Sequence, residues 1–176
     1  MKIQWHGKDA FSLENSKNSV HFNHTAEGTF TALSTPGDHI NQTDAKVFDL
    51  PGEFEVNGVL SQAFYTDNGE NLVHKIVLDN TGIVYFGNLK SVPKTEFFEK
   101  LGENTDIIIV NLSSDFDDKN AKNLITQITP RLAILGGDSQ YFPALVENLN
   151  AKTVEANPHP IKGLSDDNTE VIILPV

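Results

Sequence analysis

LPGEFEVNGVLSQAFYT, residues 50–66, opens on a Pro-Gly turn and runs into two β-rich segments, EFEVNGVL and QAFYT. Segments of this kind, alternating or aromatic-rich and bounded by Gly, Pro, Asn and Asp, read as half-buried strands. The texture extends both ways. Upstream lie KIQW, AFSLE and SVHFN, broken by HGKD and NSKN, and then FTAL and KVFDL. Downstream come HKIVLD and GIVYF, with PGD, PGE, DNGE and DNTG as punctuation. Connections this short predict antiparallel pairing, so the chain up to Phe86 is expected to form a meander-like sheet.

The second half changes character. PKTEFFEKL (93–101) carries an early Pro and apolar residues three and four apart, the pattern of an amphipathic helix. DIIIVNL is a nearly continuous apolar run, as in a strand buried on both faces. SSDFDDKNAKNLITQI offers Ser and Asp groups able to cap a helix start, then places Ala121, Leu124, Ile125 and Ile128 on one stripe. RLAIL reads as a second buried strand, YFPALVENL as a short helix and VIILPV as a last strand. Strands first, then strands and helices alternating, predict an α/β or α+β layered sandwich in one domain, residues 1–176.

Composition narrows the function. The 176 residues are 39% hydrophobic and 21% charged, enough for one filled core. No apolar run approaches the roughly 20 residues of a membrane helix. The net charge of −11 repels nucleic acid and anionic membranes, so neither is an expected partner. The N-terminus lacks the apolar stretch of a secretory signal, and a cytoplasmic protein is expected. With no cysteine, any metal would need His, Asp or Glu ligands.

Several stretches, taken in order, resemble the metallo-β-lactamase superfamily, and within it a small bacterial branch of predicted Zn-dependent hydrolases. MKIQWHGKDAFSLE is similar to an opening of the type MKI-x-W-x-G-H-S-x-F-x-L, and LPGEFEVNGV to GPGEYEVKGV. NLVHKIVLDNTGIVYFGNL looks like N-x-x-Y-x-I-x-x-D-G-x-x-I-x-x-x-G-D-L, and NAKNLITQITPRLAIL like the late helix and strand. The resemblance implies a four-layer αββα sandwich with metal ligands on loops at one edge of the sheets. It also implies H-x-H-x-D-H after an early strand, a further His, a bridging Asp and a late His. These hold one or two zinc ions that lower the pKa of a bound water to about 7.

This sequence departs from that pattern at nearly every ligand. Read without gaps, STPGDHIN puts Thr35 and Gly37 at the first two His positions, His39 at the Asp and Ile40 at the last His. Shifted by one to align Asp38-His39 with the D-H pair, it puts Ser34 and Pro36 at the first two. No His lies near AFYTDNG, Asn88 replaces the bridging Asp, and Gly137 stands at the late His with Asp138 beside it. So many losses leave no zinc site of this type. Asp38-His39 then reads as part of a turn built on Pro36 and Gly37.

Other polar groups have plainer readings. His21 and His24, three apart in a strand, would point to opposite faces. His6, His74 and His159 each read as hydrogen-bonded or solvated imidazoles, DFDDKN as a helix cap, and Glu53 and Glu55 as exposed strand carboxylates. The expectation is a metal-free, cofactor-free and non-catalytic protein, acting as a binding or assembly module. It would take a small molecule or a protein partner in a vestigial cleft around Asp38, His39, Asn88 and Asp138. The alternative is a hydrolase with a rearranged site, in which His39, Asp38, Asp138 and His6 or His24 hold one metal. A third reading is a homo-oligomer joined through an exposed strand edge near VIILPV.

Overall fold

The computed structural model describes residues 1–37 and 46–175. Two mixed sheets stack face to face. The first holds β1 (Lys2–Trp5), β2 (Phe11–Glu14), β3 (Ser19–Phe22), β4 (Phe30–Ala32), β5 (Val47–Phe48) and β13 (His159–Pro160), in the order β13-β1-β2-β3-β4-β5. The second holds β6 (Gly52–Val56), β7 (Val59–Thr66), β8 (Asn71–Leu78), β9 (Thr81–Tyr85), β10 (Ile107–Leu112), β11 (Leu132–Gly137), β12 (Lys152–Thr153) and β14 (Glu170–Ile173). Its order is β12-β14-β11-β10-β9-β8-β7-β6.

Alternation along the strands sorts side chains between two cores. Ile3, Trp5, Phe11, Leu13, Val20, Phe22 and Phe30 face Ile76, Ile83, Tyr85, Ile107, Ile109 and Ile134 between the sheets. Val73, Val84, Ile108, Val110, Ala133, Leu135 and Val171 face the helices α1 (Thr95–Leu101), α2 (Asp118–Ile128) and α3 (Phe142–Leu149). The expected stripe on α2 is realised, with Ala121, Leu124 and Ile125 buried. Asp117 caps that helix, accepting from the Asn120 N–H at 2.9 Å, so DFDDKN is a helix start. Among the described residues no helix is long and apolar enough to cross a membrane.

The sandwich matches the expected class, with local differences. EFEVNGVL is two strands, because Asn57 and Gly58 both adopt positive φ, 53° and 77°, and turn the chain into a hairpin. The first sheet is not a pure meander: β3 pairs with β4, and β4 with β5, in parallel. A parallel return needs the connection to cross a sheet face. Residues 23–28 do so over the outer side of the first sheet, where buried Ser12, His21 and Thr31 form a row across three strands. All three helices pack on the second sheet, so the outer layer described over the first sheet is this loop. VIILPV is not an edge: β14 lies between β11 and β12, and the edges of its sheet are β12 and β6.

Candidate functional site

The parallel strands β9, β10 and β11 end together, and open α/β sheets place ligands outside such carboxyl ends. Here the ends of β4, β9 and β10 meet the β1–β2 turn and the end of β3, and polar side chains fill the junction. Asn23 Nδ2 shares its two N–H bonds among Asp9 Oδ2 (2.6 Å), Ser34 Oγ (2.6 Å) and Tyr85 Oη (3.0 Å). Asn23 Oδ1 accepts from the Ser34 N–H at 2.8 Å, and the Tyr85 hydroxyl donates to the Asp9 carbonyl at 2.7 Å.

Asn88 joins from the turn after β9. Its Nδ2 donates to the same Asp9 oxygen at 2.5 Å and to Ser34 Oγ at 3.3 Å, and its Oδ1 accepts from Asn111 Nδ2 at 3.2 Å. Asn71, at the start of β8, accepts the Asn88 N–H at 2.8 Å and donates to the Phe86 carbonyl at 3.0 Å. Asn111 Oδ1 is buried and has no hydrogen-bond partner. Burial and the nearby Asp9 carboxylate raise the Tyr85 pKa well above the usual phenol value, so this hydroxyl stays protonated.

Two glycines keep the junction tight. Gly87 has φ 65°, and a Cβ there would fall 2.5 Å from both Asn71 Oδ1 and Ser34 Cβ. Gly137 has φ 106°, and a Cβ there would fall 2.2 Å from the Leu112 carbonyl oxygen and 2.7 Å from Asn111 Oδ1. The position of the late imidazole therefore cannot carry a side chain on this backbone.

Of the residues singled out in the sequence, Asn88 lies in this network. Asp138 follows β11 but turns away, its carboxylate accepting from the Gln140 N–H at 3.1 Å and from Gln140 Nε2 at 2.5 Å. Asp38 and His39 lie outside the described residues. His21 and His24 do not face apart, because β3 ends at Phe22 and Asn23 adopts φ 47°, which folds the His24 ring back to 5.6 Å from that of His21. The network residues Asp9, Asn23, Asn71 and Asn111 were missed in the sequence. Their one signal is an Asn closing an apolar run, as in DIIIVNL and SVHFN.

The described donors do not fit the zinc centre that the resemblance implies. They are one carboxylate, four carboxamides, a serine hydroxyl and a phenol, whereas zinc takes thiolate, imidazole and carboxylate. Among the described residues no three His, Asp or Glu side chains are grouped to hold a metal ion. His74, beneath the network on β8, is fully buried and points Nε2 at the Leu33 carbonyl, 2.8 Å away. That carbonyl needs a donor, so the proton sits on Nε2, and Nδ1 has no partner.

Solved structures resemble this one, among them the following three. A protein from Thermotoga maritima, described as a Zn-dependent hydrolase of the metallo-β-lactamase superfamily, matches with a TM-score of 0.83 at 18% identity, covering 99% of this chain and 100% of that one. Igni18, a metallo hydrolase from the archaeon Ignicoccus hospitalis, matches with 0.63 at 12% identity over 90% and 96%. The metallo-β-lactamase fold protein YhfI from Bacillus subtilis matches with 0.58 at 11% over 97% and 95%. No family model and no curated protein matches the chain. At these identities the likeness is one of fold, and this chain has the metallo-β-lactamase fold.

Burial, opposed by the bond to Leu33, lowers the His74 pKa to about 4, against about 6.5 for an unfolded imidazole. The folded state therefore favours the neutral ring. Its contribution is complete above pH 6.5 and is lost as pH falls toward 4, by about 3 kcal/mol in all. His74→Gln keeps an N–H for Leu33 but cannot titrate. In urea unfolding, the stability of the wild type relative to this variant should fall by about 3 kcal/mol between pH 7 and pH 4; a constant difference would refute the buried neutral imidazole.

Asn88→Asp replaces an N–H donor with a second carboxylate against Asp9. Because Asn88 is largely exposed, the expected loss at pH 7 is only about 1 kcal/mol. An unchanged or raised melting temperature would contradict the hydrogen-bonding scheme.

Proposed function

We propose that this chain is a metal-independent, non-catalytic binding module built on the metallo-β-lactamase fold, using the cleft at the strand ends around Asn88. One observation carries this reading. The bridging carboxylate expected from the resemblance is a carboxamide, and its N–H and C=O are both used, toward Asp9 and from Asn111. A group so employed has neither the charge nor the lone pairs for two cations. Tyr85 is protonated and His74 is neutral and buried, so neither supplies an obvious base or nucleophile. What the cleft offers is neutral hydrogen bonding around a single carboxylate, which suits recognition of a small polar molecule or a partner's polar side chain. Asp138 would stand at its rim; Asp38 and His39, which the sequence reading also assigns to the cleft, lie outside the described residues.

The test is metal content, measured by elemental analysis on untagged protein purified without chelator, incubated with excess zinc and manganese and dialysed. Retention well below one ion per chain is expected. Stoichiometric retention would overturn the proposal in favour of the hydrolase with a rearranged site, in which His39, Asp38, Asp138 and His6 or His24 hold one metal.

Binding is tested separately with a library of small polar fragments, read by NMR at the side-chain amides of Asn23, Asn88 and Asn111. Fragments that move these signals together, and lose the effect in Asn88→Ala, are expected. Hits confined to other surfaces would show that the cleft is not the binding site.

A further inference from the structure

The loop 23–28, which crosses the outer face of the first sheet, is fastened by histidines. Among the described residues, 24–28 make no backbone–backbone hydrogen bond. The holds are side-chain ones. The His24 ring stacks on His6 with centroids 3.8 Å apart and planes 11° from parallel. His21 Nε2 meets the Glu27 carbonyl at 3.1 Å and Ser19 Oγ at 3.1 Å, and His6 Nε2 meets Ser12 Oγ at 2.9 Å. Gly28 lies against His21 so closely that a Cβ would be 2.6 Å from Nε2. Three imidazoles from β3, its following loop and the end of β1 thus form one contiguous cluster.

This cluster is joined to the polar junction at the strand ends through adjacent residues. Asn23, in the left-handed conformation, sends its amide inward to Asp9, Ser34 and Tyr85 while the next residue lays its ring outward on His6. A metal is a poor occupant, since two nearly parallel rings share no point in the plane of both where an ion could sit. A proton is a good one. The groups facing His6 are His24, His21 and the Glu14 carboxylate, with Lys8 and Asp9 following in the same turn. His21 faces His24, Glu14 and the Glu27 carbonyl, and Asn23 faces Asp9. Glu14 favours a first positive charge in the cluster. A charge on His6 stands at stacking distance from the His24 ring and beside His21, both of which oppose it, and among the described residues Glu14 is the one carboxylate that acts on it.

The geometry points to a proton-driven latch: protonation of His6 parts its ring from that of His24, frees the 23–28 loop and withdraws the Asn23 amide from Asp9, Ser34 and Tyr85. The latch regulates the cleft proposed above and rests on that reading for its use, though not for its detection. Burial and the two neighbouring imidazoles lower the His6 pKa, which places the closed state on the alkaline side.

The experiment is an NMR titration of the full chain from pH 8 to pH 5.5, above the range in which ordinary carboxylates of pKa about 4 titrate. It follows the ring Cε1–H signal of His6 and the side-chain NH2 of Asn23, with no ligand present. Expected is an Asn23 signal that moves with the His6 ring in the wild type and in His74→Gln, and is flat in His24→Gln and in His6→Gln. An Asn23 signal that stays flat in the wild type while His6 titrates, or that responds equally in both stack variants, would overturn the latch. A failed fragment screen would leave this result standing, and a failed titration would leave the binding reading standing.

Discussion

The hydrogen bonds of Asn23 are the constraint on which the rest of this site depends. One carboxamide, at the end of β3 in the first sheet, reaches Tyr85 of the second sheet, Ser34 after β4 and Asp9 of the β1–β2 turn. The apolar core between the sheets ends at this point, and the backbone and hydroxyl groups exposed there must be satisfied or incur the cost of burial. An ion could hold such a junction by coordination. Here amides do it, Asn23, Asn71 and Asn88 each using both donor and acceptor, and the sheets are pinned together at the edge where the fold has its loops.

That solution is written into the backbone as well as the side chains. Gly87 and Gly137 both adopt positive φ, and both would drive a Cβ into neighbouring groups, Asn71 and Ser34 in one case and Leu112 and Asn111 in the other. The chain approaches itself where a ligand-bearing side chain would need room. Placing an imidazole at position 137 is therefore a problem of main-chain geometry, which no change of side-chain chemistry alone resolves.

Much of the fold was legible because it depends on period and apolar runs. DIIIVNL and RLAIL are parallel central strands, and α2 starts at its Asp cap and buries its stripe. The hairpin at Asn57-Gly58 was legible in principle as a two-residue turn signal inside an alternating run, but EFEVNGVL keeps its hydrophobic pattern straight through the turn. The parallel β3–β4 pairing was not legible, since a short connection gives no sign that it crosses a face. The site was read mainly through absences. Asn88 stood out by its place in YFGNL, whereas Asp9, Asn23, Asn71 and Asn111 carry no chemical signature in sequence: asparagine is commonest in turns, and only its convergence in space makes it a network.

The groups that stand where the resemblance implies zinc ligands depend on one another. A cluster of carboxylates is stable only while cations balance it; without them, like charges a few ångströms apart disfavour ionisation of both. With Asn88 at the position where the resemblance implies a bridging Asp, Asp9 is the one carboxylate in the described network, and two amide donors converge on its Oδ2. In a chain of net charge −11, a junction with one negative charge and several neutral dipoles adds little repulsion of its own. The parts are interdependent: the amide at Asn88 needs an acceptor, Asp9 supplies it, Asn23 shares it, and the closed turn at Gly137 leaves no space for a coordinating ring.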